Sequence, residues 1–160
     1  MYNFKVGDKA VYPKHGIGNV TAIETKEISG TSLTFYTVKF DTGMKIMVPK
    51  TNAKNVGLRP VISEEEAMTV IDILQQTDAK IDNQTWNRRY RGYIEKIKTG
   101  SVNEIAEVLR DLFLLKVDKE LSFGEKQLLV KAQKLLLNEL MIATTEDHLK
   151  EKNVGAILGI

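Results

Sequence analysis

Between residues 9 and 49 apolar and polar positions alternate with a period of two, interrupted by glycine, proline and aspartate. Lys9-Ala10-Val11-Tyr12 stops at Pro13. Gly16 and Gly18 then open Asn19-Val20-Thr21-Ala22-Ile23-Glu24-Thr25, and Ser29-Gly30 punctuates the chain before the run at 33–40. Asp41-Thr42-Gly43 marks a tight turn before 44–49. Short β-rich runs joined by turn residues predict a small antiparallel β-barrel. Pro49 has no N–H to donate to a ladder, so its strand is expected at an edge or to stop there.

From Ser63 the period becomes helical. Ser63 with Glu66, Ser101 with Glu104, Ser122 with Glu125 and Thr144 with Asp147 all show capping-box spacing. In that device each side chain satisfies the other residue's free backbone N–H. The pattern predicts helices at 64–76, 85–99, 102–117, 123–142 and 146–152, with Gly100 as the C-terminal cap of the second. Ile105, Val108, Leu109, Leu112 and Leu115 form one apolar stripe, and Leu128, Leu129, Ala132, Leu135, Leu136 and Leu140 form another; both are expected core faces. The apolar, glycine-broken tail 153–160 either docks on the bundle or meets a partner. The expected fold is α+β, a small antiparallel barrel over 1–60 followed by a compact helical domain over 61–160.

Composition adds limits. Cysteine is absent, which removes disulfides, thiolate zinc sites and cysteine nucleophiles and fits a reducing, cytoplasmic setting. Residues 1–8 lack the apolar core of an export signal, and no long uncharged apolar run occurs, so a soluble protein with no membrane association is expected. The formal net charge is only +2. It is uneven, however: residues 1–59 hold nine basic residues against four acids. Residues 86–98 hold Arg88, Arg89, Arg91, Lys96 and Lys98 against Glu95 alone. A local basic patch suggests a short nucleic-acid footprint rather than a coating interaction.

That patch includes the only tryptophan of the chain, in Thr85-Trp86-Asn87-Arg88-Arg89-Tyr90-Arg91-Gly92-Tyr93. Arginine forks suit phosphates, and an aromatic ring can wedge between bases. With Thr85 or Asn83 as the cap, Trp86, Tyr90, Tyr93 or Ile94, and Ile97 share one helix face. Trp86 is then either the first core residue of an amphipathic helix or a ring projecting past the end of the bundle. No nearby acid in the sequence neutralises Arg88, Arg89 and Arg91, which favours the second reading. Lys126, Lys131 and Lys134 lie near one side of another helix, as a solvated face or as an extension of the patch.

Catalytic signatures are not found. No phosphate-cradling Gly-x-x-x-x-Gly-Lys occurs, and His15 and His148 fall in different modules, which gives no paired-histidine metal spacing. Glu64-Glu65-Glu66 sits in the first turn of a helix, where carboxylates complement the helix dipole. No enzymatic activity, metal or cofactor is expected.

Val6-Gly7-Asp8, Val11-Tyr12-Pro13, His15-Gly16 and Gly18-x-Val20 resemble the opening of the CarD/CdnL family of bacterial transcription regulators. Trp86-x-Arg88-Arg89-Tyr90, Glu107-Val108-x-Arg110-Asp111-Leu112 and Leu121-Ser122-x-Gly124-Glu125-Lys126 resemble its C-terminal signatures, so the resemblance runs to about residue 143. It implies a Tudor-like N-terminal module, similar to the polymerase-interacting domain of the transcription-repair coupling factor, that binds the RNA polymerase β subunit through a strand edge. Lys26, Val38, Met47 and Pro49 become the polymerase-contact candidates. It also implies a helical module that binds promoter DNA at the upstream edge of the transcription bubble. Trp86 would enter the minor groove there beside the matching basic pair Arg88 and Arg89 and help hold the open complex. Arg91, Lys126 and Lys131 join them as DNA-contact candidates from the charge pattern, and a monomer is expected. A protein–protein adaptor with Trp86 buried, or a free-standing nucleic-acid binder, are the competing readings.

Overall fold

A computed structural model describes residues 3–13, 15–77 and 86–160, the side chains of Trp86, Asn87 and Asp118 excepted. The chain divides into two compact units, Met1–Val61 and Ile62–Ile160. The expected cap at Thr85 or Asn83 lies outside the described residues.

The first unit holds β1 (Lys9–Tyr12), β2 (Gly16–Ile28), β3 (Thr31–Phe40), β4 (Lys45–Pro49), a single 3-10 turn at Lys50–Asn52, and β5 (Arg59–Pro60). They form one five-stranded sheet in the order β4-β3-β2-β1-β5, with every pairing antiparallel. The sheet is open, with β4 and β5 as its edges, so closure into the expected barrel is not observed. Proline accounts for the short edges: β4 ends at Pro49, and Pro60, one of the two residues of β5, has no N–H to extend a ladder. β2 and β3 pair from Gly18↔Phe40 out to Ile28↔Thr31, with a bulge between Val20 and Ala22. Inward-facing positions alternate along β3, where Tyr36, Val38 and Phe40 are buried, as a half-covered strand requires. They meet Phe4, Ala10, Val20, Val48, Ala53 and Leu58 in one apolar core.

The second unit comprises α1 (Glu64–Gln75), α2 (Trp86–Lys98), α3 (Val102–Asp118), α4 (Phe123–Ala143), α5 (Glu146–Glu151) and α6 (Gly155–Leu158). The stripe predicted on α3 is buried throughout, and that on α4 is buried apart from Leu135, which packs half-buried against the same core. Leu109, Leu112, Leu136 and Leu140 are inaccessible to solvent or nearly so, each contributing about 1.5–3 kcal/mol of burial. Two capping boxes form as predicted, Ser63 with Glu66 and Ser122 with Glu125. The other two do not. The Ser101 side chain makes no cap hydrogen bond, and Glu104 instead accepts a hydrogen bond from the Thr99 hydroxyl. At α5 the cap is Thr145 rather than Thr144, one residue on, its hydroxyl accepting from the His148 N–H.

The tail docks. Val154, Ile157 and Leu158 are buried, and Gln133 Nε2 donates to the Ile157 carbonyl at 3.1 Å. Buried Glu139 accepts the Ile62 N–H at 2.9 Å, fixing the entry to this unit. Among the described residues no helix is long and apolar enough to cross a membrane, and no acid, histidine or cysteine cluster could hold a metal ion.

Candidate nucleic-acid and protein-binding surfaces

The α2 sequence puts its apolar residues at helical spacing, and the structure buries Tyr93 and Ile97 while Tyr90 and Ile94 are half-buried against the same core. The opposite side carries the charge. Arg88 and Arg91 are exposed, with no acidic partner among the described residues. Trp86 is the first residue of α2; its side chain, and with it the choice between core residue and projecting ring, lies outside the described residues.

Arg89 departs from the expectation. Its Nη2 lies 3.2 Å from Glu125 Oε2, and the two side chains are 9% and 3% exposed. An acid is therefore at hand, supplied by α4, and a guanidinium so enclosed is not presented to a phosphate. Its Nε is buried and has no hydrogen-bond partner among the described residues. Burial disfavours ionisation of Glu125, yet the Ser122 N–H and hydroxyl together with Arg89 outweigh it and hold the carboxyl below its usual value; hydrogen bonds to the charged form have this effect. The ion pair thus sits on the capping box of α4.

A second contact joins the same ends. The Tyr90 ring packs on Gly124, where an added Cβ would lie 3.0 Å from Tyr90 Cε2. Arg89 and Tyr90 therefore seat α2 on the first turn of α4, which brings exposed Lys126 to the end of the unit that bears Arg88 and Arg91. Lys126 shares an exposed contact of 3.4 Å with Glu120; Lys131 is exposed further along α4. Phe123 was missed by the sequence reasoning. It begins α4 and is 78% exposed, directly before Gly124. Its place off the apolar stripe of α4 is the signal that could have found it.

Elsewhere on α3, Asp111 lies 3.1 Å from Arg110 Nη2. Burial pushes its carboxyl above the usual value despite that arginine.

In the first unit the free edge of β4 carries the candidate contacts. Met47 is 44% exposed and Pro49 half-buried. Phe40 donates its N–H to the Met44 carbonyl at 2.9 Å. With Lys39↔Lys45 and Val38↔Ile46 as the next pairs, the alternation of an antiparallel ladder turns the N–H groups of Lys45 and Met47 away from β3. Lys26 is exposed on β2, 3.9 Å from Glu24. Val38, also expected at the polymerase contact, is fully buried: its side chain shares the inner face of β3 with Tyr36 and Phe40 and builds the sheet that carries the edge.

Comparison with known proteins gives these surfaces a context. The domain described as CarD-like/TRCF RID matches residues 4–62, and the CarD C-terminal domain matches residues 69–156. YdeB of Bacillus subtilis (strain 168), a candidate transcription factor, is 34% identical over 152 residues, 92% of this chain and 97% of that protein. Two solved structures come from Myxococcus xanthus. The N-terminal domain of CarD is 39% identical over 36% of this chain and 79% of that one, with a TM-score of 0.32. The structure named CdnLNt is 45% identical over 39% of this chain and 90% of that one, with a TM-score of 0.33. With both of its domains matched in order and a relative aligned over nearly its whole length, this chain belongs to the CarD/CdnL family.

Proposed function

We propose that this protein is a transcription regulator that attaches to the RNA polymerase β subunit through the free edge of β4 and holds the open promoter complex through the α2–α4 end of its helical unit. Family membership across both units is the observation that carries the reading. The edge supports it physically, because outward N–H and carbonyl groups flanked by exposed Met47 are a template for an added strand. Arg88, Arg91, Lys126 and Lys131 supply phosphate contacts, which set position. Trp86 acts as the wedge at the upstream edge of the bubble, with Phe123 as a second ring at the same end of the unit, since a ring between base steps stabilises unstacked DNA. Arg89 serves by seating α2 on α4 rather than by touching DNA. Tethering to polymerase raises the local concentration of DNA, so modest affinity of the helical unit suffices.

Co-purification with core RNA polymerase, followed by open-complex lifetimes, tests the proposal. Trp86→Ala is expected to shorten the lifetime and leave polymerase binding intact. An unchanged lifetime would remove the wedge, and failure to co-purify would remove the tether.

A further inference from the structure

A groove of about 620 Å³ opens between the end of α3 and the first half of α4. Buried Leu121 and Leu129 form its floor, while Val117 and Val130 line it at 76% and 60% exposure. Both valines lie outside the buried apolar stripes of their helices and stand exposed to solvent. The rim is cationic, with Lys116, Lys119 and Lys126 against Glu120 among the described residues. An adjoining shallow depression continues over Val130 to Lys131 and Lys134.

The spacing on α4 narrows the occupant. Lys126, Val130 and Lys134 stand four residues apart, so they form one row along the helix, about 12 Å from first to last. A helix laid along that row meets positive charge, an apolar gap and positive charge again. We propose that this groove binds an acidic amphipathic helix of a partner protein, with a leucine-sized side chain in the gap between Val117 and Val130 and glutamates four residues to either side. Duplex DNA fits the charge but not the gap, since its phosphates would leave both valines facing a charged backbone. The site is distinct from the β4 edge and meets the proposed DNA surface only at Lys126 and Lys131. An occupied groove would therefore compete with DNA for those two lysines.

The full chain, isotope-labelled, can be titrated with a synthetic helical peptide carrying glutamates four residues before and after a central leucine. The expected result is amide shifts concentrated at Val117, Leu121, Leu129 and Val130. Val117→Ser and Val130→Ser, both at exposed positions, are each expected to weaken binding about tenfold, the scale on which one apolar side chain contributes to affinity. Equal binding by the peptide with serine in place of its leucine would overturn the proposal, as would shifts lying outside the groove or no binding at all. A DNA duplex that shifts the same signals, and is weakened equally by Val130→Ser, would assign the groove to nucleic acid instead.

Discussion

The Arg89 guanidinium and the Glu125 carboxylate meet at 3.2 Å with both side chains at least nine-tenths buried. Removing one partner leaves the other charged and enclosed. Glu125→Ala is expected to cost about 3–5 kcal/mol for the stranded arginine and about 1 kcal/mol more for the capping box. Urea denaturation of the full chain measures both, and a loss below about 1 kcal/mol would mean that the pair behaves as a surface contact.

The same pair sets an acid-side stability limit. Glu125 has its folded pKa below the usual 4.5, so its stabilisation is complete above that value and is lost as pH falls through the depressed one. Asp111, raised above 3.8, works the other way: its contribution is present at low pH and lost as pH rises. Stability of the Glu125→Gln variant is therefore expected to fall less steeply below pH 4.5 than that of the parent. Thermal midpoints measured from neutral pH downward give the comparison, and parallel curves would contradict the assignment.

Arg88 and Arg91 should separate cleanly from Arg89 in their effect on DNA binding. Replacing either exposed arginine by alanine is expected to flatten the salt dependence of affinity by about 1 in the log–log slope for each phosphate no longer neutralised. Arg89→Ala should lower stability and leave that slope unchanged in the fraction that remains folded. A slope change for Arg89→Ala and none for Arg88→Ala would reverse the assigned roles.

Val38 and Met47 divide in the same way on the sheet. Val38→Ala opens space in a closed core and is expected to cost about 2 kcal/mol, with polymerase binding reduced only as far as folding is. Met47→Asp lies at an exposed edge and should change stability by no more than about 0.5 kcal/mol while weakening co-purification with polymerase. Circular dichroism beside a pull-down with core enzyme distinguishes the two.

What was legible in the sequence was local. Ser63 and Ser122 each carry their capping partner three residues on, and both boxes form. Ser101 failed because Thr99, two residues upstream, competes for the same Glu104 carboxylate. At α5 adjacent threonines offered two registers, and spacing alone could not rank them. The acid that pairs with Arg89 was not legible because it is 36 positions away, beyond any helical period. Val38 could have been placed from alternation, since it shares its face with Tyr36 and Phe40. The open sheet was not legible, because closure depends on how far the edges extend and not on the strands themselves.

Pro49 has a consequence for any strand that joins β4. Such a strand finds donors at Lys45 and Met47 and a carbonyl without a donor at Pro49. A slip of two residues toward the proline would forfeit a hydrogen bond and leave an acceptor of the incoming strand unsatisfied. The proline therefore works as a ruler: it limits how many residues a partner can add and favours one alignment, so the edge can discriminate between extended segments before any side chain is read.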